Sequence, residues 1–181
     1  MWRNKKAESS VNGMFAAFKS ANFEEARQYV DVDKITASET ESEITPDGEE
    51  MMKLIFKNLN YKIISSEKKD NETVIVKTEI TTTDMKPVMG DFFVKAMQYA
   101  FSTAFSEPQP SEEETNKKML EMFNESMAKD DLATVTNEID ITVKKVEKSW
   151  KVQTEDKFTD ALLGGLVSAT KELSESFNTA E

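Results

Sequence analysis

Chemistry in a protein chain rests on a short list of side chains, and this sequence holds few of them. It contains no His and no Cys. That excludes a Ser-His-Asp triad, a Cys nucleophile, a disulfide framework and a zinc site of the usual composition. Carboxylates and three tyrosines, Tyr29, Tyr61 and Tyr99, remain as acids and bases. A carboxylate that serves as a general acid or base near neutral pH needs burial to raise its pKa. The strand acids Glu79, Glu138 and Asp140 alternate onto the outer faces of their strands, so no catalytic residue is assigned. Asp31-Val-Asp33 lacks the glycine and closing glutamate of a calcium loop. Glu39, Glu41, Glu43, Asp47, Glu49 and Glu50 read as a solvated acidic stretch, with loose Ca²⁺ binding as the alternative. Gly164-Gly165 has no GxGxxG pattern and no following Lys-Ser, so it is not a phosphate loop. No metal and no cofactor is implied.

Two polar residues stand out against apolar neighbours. Thr78 lies between Val76 and Ile80, and Asn137 between Val135 and Ile139, each on one strand face. Either they satisfy backbone groups or each other inside a core, or they are the few oriented polar groups of a ligand cavity. The Met and Phe stripe from Met89 to Met127 has the same two readings: core, or a soft lid over an apolar ligand. The ligand-binding expectation thus joins Val76, Thr78, Asn137, Ile139 and Ile141 on the strands with Phe93 and Met97 on the helices.

The elements that must carry these residues follow from periodicity. Val11, Met14, Phe15 and Phe18 recur at helical spacing, with Ser9 or Ser10 as the cap. Asn22 and Glu25 form a capping box for a second short helix. Asp31 to Pro46 reads as an exposed loop, and Asp47 to Leu59 as a helix. The period then changes to two. Tyr61, Ile63 and Ser65 lead through the polar turn Lys68 to Glu72 into a long strand. That strand has Val74, Val76, Thr78, Ile80 and Thr82 on one face. Pro87 suits the first turn of a helix that runs to Ala104, and Ser111 with Glu114 caps the next one. Val135, Asn137, Ile139, Ile141 and Val143 share a face of a further strand, and Trp150 and Val152 continue on its partner. A last helix, with Gly164-Gly165 inside it, either breaks there or is approached closely by another element. Segregated helices and antiparallel hairpins predict an α+β fold.

The chain has 181 residues and 23 Lys+Arg against 34 Asp+Glu, a net charge of −11. Such a balance lacks the basic face of a general nucleic-acid binder. No apolar run approaches the roughly 18 residues that span a bilayer.

Three stretches carry a family resemblance: Val11 to Val30, with its Asn-Phe-Glu-Glu-Ala junction, SWKVQT from Ser149 to Thr154, and DALLGGL from Asp160 to Leu166. On these the chain resembles the nuclear transport factor 2-like (cystatin-like) superfamily. More closely, it resembles Gram-positive cell-surface lipoproteins that carry a domain of unknown function with that fold. The resemblance implies a bent antiparallel sheet packed on N-terminal helices like a cone, a helical hairpin inserted between strand pairs at residues 87–129, and a C-terminal helix. Residues 1–8 are expected as a flexible segment and 9–181 as the domain. The implied role is non-catalytic: binding a small apolar ligand or a protein partner outside the cell, with homodimerisation through the sheet as in relatives of this fold. The alternatives are an isomerase or dehydratase working in the cone, or a pure interaction module. A signal sequence and a lipid-bearing Cys are expected upstream, and the only membrane link would be that anchor. A native start at Met1 would instead make the chain cytoplasmic.

Overall fold

The computed structural model describes residues 2–31 and 46–178. Residues 32–45 of the expected loop, with Glu39, Glu41 and Glu43, therefore lie outside the described residues, while Asp47, Glu49 and Glu50 fall in the first helix after it. The chain is α+β. Its order is α1 (Trp2–Lys19), α2 (Phe23–Arg27), α3 (Pro46–Ile55), β1 (Asn60–Lys68), β2 (Thr73–Thr83), α4 (Met85–Thr103), α5 (Glu112–Met127), β3 (Thr134–Val146), β4 (Ser149–Val152), α6 (Asp156–Leu162) and α7 (Leu166–Asn178). The strands form one antiparallel sheet in the order β1-β2-β3-β4.

The phases of β2 and β3 are as the alternation predicts. Val74, Val76, Thr78, Ile80 and Thr82 are buried, and the residues between them half-buried. β2 and β3 pair without a slip, so Val76 faces Ile141, Thr78 faces Ile139 and Ile80 faces Asn137. β1 carries an irregularity between Ile63 and Ser65; Ile64, inside it, is 44% exposed, and Ser65, expected on the face of Tyr61 and Ile63, is exposed beyond it while Ser66 is half-buried. A bulge of this kind shifts the facing of the residues that follow it.

Against the inner face lies α1. Ala7, Val11, Met14 and Phe15 are all 0% exposed and share one core with Val74, Val76, Ile80, Ile141 and Val143. Phe15 stacks on Tyr61 at 4.4 Å and meets Phe158 edge-on at 6.4 Å. The helix begins at Trp2 instead of after Ser9, so most of the segment expected to be flexible is its first two turns. The reason is visible at Ala7 and Ser10. Ala7 extends the buried stripe by one turn, and the Ser10 hydroxyl, no cap, donates to the backbone oxygen of Trp150 at 2.8 Å. Trp150 is a core residue, as its alternation with Val152 predicts.

Both expected N-caps form, and the one at Ser111 is a full capping box, whereas the backbone N–H of Asn22 donates to the Ala17 carbonyl oxygen at 2.9 Å and not to Glu25. Asn22 accepts from the Glu25 N–H at 3.1 Å and returns a side-chain bond to it. Ser111 and Glu114 exchange bonds of 2.8 and 3.2 Å, which hold the Glu114 carboxyl below its ordinary pKa. The Gly-Gly pair both breaks its helix and admits a close neighbour. Gly164 and Gly165 have φ of +63° and +81°, and a β-carbon on Gly164 would lie 1.9 Å from the Thr83 carbonyl oxygen. Only glycine permits that approach.

Candidate functional site

The seven residues of the expected ligand site fall in three places. Val76, Thr78 and Ile141 are fully buried where α1 and α6 cover the sheet. The Thr78 hydroxyl donates to the Val76 carbonyl oxygen at 3.3 Å, a local satisfaction of the kind found in cores. Asn137 and Ile139 sit half-buried farther along β3, at the wall of a cleft of about 350 Å³. Phe93 is half-buried and Met97 36% exposed on α4, which joins the core through Met85 and Val88 in its first turn and otherwise packs chiefly on α5 and α7. The structure thus brings the strand residues together in register and sets the two helical ones apart. The reason is the connection: α4 leaves β2 at Asp84, whose carboxylate accepts from the Lys86 N–H at 3.1 Å, and α1 already occupies the face.

The β3 cleft lies between the inner side of that strand and the α6–α7 corner, with Ala161, Gly165 and Ala169 as its small-residue wall. Its acids are structurally engaged. Asp160 accepts from the Ser168 N–H at 3.0 Å and from the Ser168 hydroxyl at 2.5 Å, which caps α7. Glu172 pairs with Lys86 at 2.7 Å. Among the described residues, the carboxyls with a clear pKa departure, Asp70, Asp91 and Glu114, are all lowered by hydrogen bonds. Those shifts keep the acids ionised, opposite to what a proton donor at neutral pH requires. No three His, Cys, Asp or Glu residues gather to hold a metal among the described residues.

A second opening, of about 240 Å³, is almost wholly apolar. Met14, Phe18, Phe23, Met52, Phe56 and Phe158 are prominent in its lining. Phe18, Phe23 and Phe56 lie with ring centroids 5.0–6.4 Å apart, so three rings build one wall.

The α4–α5 hairpin supplies the feature that periodicity alone misses. At its base Phe92 meets Phe123 edge-on at 5.9 Å. Asp91 accepts from the Ser126 hydroxyl at 2.7 Å and pairs with Lys95 at 3.2 Å and Lys129 at 3.0 Å. These contacts, Ser126 foremost, hold the Asp91 carboxyl well below the usual carboxylate range. Toward the tip the packing ends. Val94 is 54%, Phe101 71% and Phe105 96% exposed. The signal was in the partner helix: the apolar positions of α5 begin at Met119, while the turns that precede it hold Glu112, Glu113, Thr115 and Asn116. An apolar stripe that outruns its partner has nothing to pack on.

No protein-family model matches the sequence, and no curated protein matches it significantly. Among solved structures the fold is similar to the ycdA protein of Bacillus subtilis, provisionally classed as a lipoprotein. The two are 12% identical with a TM-score of 0.44 over 82% of this chain. The chain spans 44% of that protein's length.

Proposed function

We propose that this chain is a non-catalytic binding domain of a lipid-anchored, extracytoplasmic bacterial protein, and that it docks a protein partner through the tip of the α4–α5 hairpin. The observation that carries the docking reading is the exposure of Phe101 and Phe105, 71% and 96%, on an element that projects past its own packing. Large contiguous apolar groups on a solvated surface mark interaction sites, and Phe is enriched at interface cores. The anchored, extracytoplasmic setting rests on the family resemblance of SWKVQT, DALLGGL and the N-terminal helices. No described helix is long and apolar enough to cross a membrane. A photoreactive phenylalanine analogue placed at position 105, or at exposed position 117 as control, tests the docking in cells of the native host. A discrete protein adduct is expected from 105 alone, and it should vanish with Phe101→Glu. Equal labelling at both positions, or none at 105, refutes it. Recovery of the native gene product in the cytosol refutes the anchored setting separately.

A second reading, a small apolar ligand, is favoured by the three-ring wall of Phe18, Phe23 and Phe56. Apolar pockets with few polar groups are the usual form of such sites. A ligand at about 100 times its Kd adds roughly 2.7 kcal/mol of stability. A thermal-shift screen of lipids, sterols and aromatic metabolites should then find compounds whose shift Phe56→Ala abolishes; an unresponsive wild type removes this reading.

A further inference from the structure

β3 is thirteen residues long and β4 only four, so among the described residues much of one β3 edge has no strand beside it. β4 pairs with Val143–Val146, and Gln153 adds one bond of 2.8 Å to the Thr142 carbonyl oxygen. From Thr134 to Ile141 the strand pairs with β2 throughout and with no described strand on its other side. In an antiparallel ladder successive residues aim their backbone groups to opposite sides. Two bonds fix the phase here: Lys145 N–H donates to Glu72 on the β2 side, while Thr142 accepts on the β4 side. Odd-numbered residues therefore bond β2. Thr136, Glu138 and Asp140 turn their N–H and C=O groups to the open edge.

The side chains divide in the same alternation. Val135, Asn137 and Ile139 face the 350 Å³ cleft, whose opposite wall includes Ala161, Gly165 and Ala169. Thr136, Glu138 and Asp140 are exposed on the outer face. There one cation is shared: Lys77 pairs with Glu138 at 3.0 Å, and Asp140 adds only its more distant field. An open edge with a groove along it is the arrangement used for strand addition, in which backbone bonds give affinity and pockets for alternate side chains give specificity. Acids on an edge disfavour a second copy of the same strand, because like charges meet. They favour a strand of opposite charge.

We propose that the β3 edge from Thr136 to Asp140 binds an extended segment of a protein partner, with its small apolar side chains in the α6–α7 cleft and its basic side chains beside Glu138 and Asp140. This site is independent of the hairpin tip, since neither β3 nor α7 carries Phe101 or Phe105. The probe is the peptide acetyl-Lys-Val-Lys-Ala-Lys-Val-Lys-amide, and the readout is amide hydrogen exchange followed residue by residue by NMR. The peptide should slow exchange at Thr136, Glu138 and Asp140 at least tenfold, with no comparable change at Phe101 or Phe105. Thr136→Pro, which removes one outward N–H, should reduce that protection at Glu138 and Asp140. Ser168→Tyr, which fills the cleft and leaves the strand intact, should do the same if the proline variant fails to fold. The Glu-for-Lys version of the peptide should bind at least tenfold more weakly. Saturating basic peptide without protection at these three amides overturns the proposal, as does protection that survives Ser168→Tyr. Equal binding of the acidic peptide overturns the charge assignment.

Discussion

α1 and α4 carry apolar stripes of the same kind, and they end in opposite environments. In α1 the stripe of Val11, Met14 and Phe15 meets Val74, Val76, Ile141 and Val143, and every one of these side chains is 0% exposed. In α4 the first turn is equally covered, with Met85 and Val88 buried, but four turns later Phe101 stands in water. The helices do not differ in type. What differs is the element opposite: a four-stranded sheet in one case, and an α5 whose apolar residues begin only at Met119 in the other. An amphipathic pattern states that a helix has an apolar face; it does not state how much of that face is covered.

The largest expected effect tests the covered side. Phe15→Ala removes a ring packed between Tyr61 and Phe158 and should cost about 3–5 kcal/mol in urea denaturation, the usual range for large aromatic truncations in cores. Trp150→Ala should fall in the same range, since the indole is buried and its residue anchors the Ser10 hydroxyl. A loss below about 1 kcal/mol at Phe15 would mean that the α1 face is loosely filled and that the contrast with α4 is false.

The same contrast shows how much was legible in the sequence. The phase of β2 and β3 was readable because their period of two is unbroken, and the Asn22 and Ser111 caps because their partners lie three residues away; the bulge in β1 carries no such local signal. The start of α1 was not, because Ser9 and Ser10 look like caps until a tertiary acceptor, the Trp150 carbonyl, is known. The assembly of Phe93 and Met97 with the β2–β3 face was expected, and the structure places them on the hairpin instead, since no local pattern tells which of two helices wins a sheet face. Thr78 and Asn137, identical in pattern, separate for the same reason. One lies under the helices and the other beside the cleft.

The next effect sharpens where the cover of α4 begins. Met85 N–H donates to the Gly164 carbonyl oxygen at 2.9 Å, so the α6–α7 corner holds the start of the helix. Gly165→Ala places a side chain in open space but at φ +81°, and left-handed backbone costs a non-glycine residue about 1–2 kcal/mol. Gly164→Ala adds a clash with the Thr83 carbonyl and should cost more than its neighbour, with exchange of the Met85 and Val88 amides accelerated. An equal cost for both would show that the corner yields without disturbing α4.

A smaller effect marks where the cover ends. The carboxyl of Asp91 is held down by Ser126, Lys129 and Lys95. A folded pKa below the unfolded value of about 3.9 gives stability that is complete above that value and lost as the pH falls through the folded pKa. Hairpin amides should therefore exchange alike from pH 8 to about pH 5, after correction for intrinsic rates, and lose protection below about pH 4. Asp91→Asn should lower protection at pH 7 and flatten that acid limb. An unchanged limb in the variant would assign the acid sensitivity to other carboxylates.

The smallest expected effect is at the hairpin tip, and it is the one that makes the comparison decisive. Phe105 lies past the end of α4, is 96% exposed, and takes part in none of the ring contacts. Phe101 is helical but 71% exposed, and serine and phenylalanine differ little in helix propensity. Removing two rings that bury little area removes little transfer free energy. Phe101→Ser with Phe105→Ser should therefore shift the urea stability by no more than about 0.5 kcal/mol, the range of surface substitutions that break no contact. It should also shorten retention on a hydrophobic-interaction column, because the rings face solvent in the folded state. A loss above about 1 kcal/mol would show that the tip has a cover within this chain, and the docking reading would then lose its surface. Unchanged stability joined to unchanged retention would mean that the two rings form no usable patch.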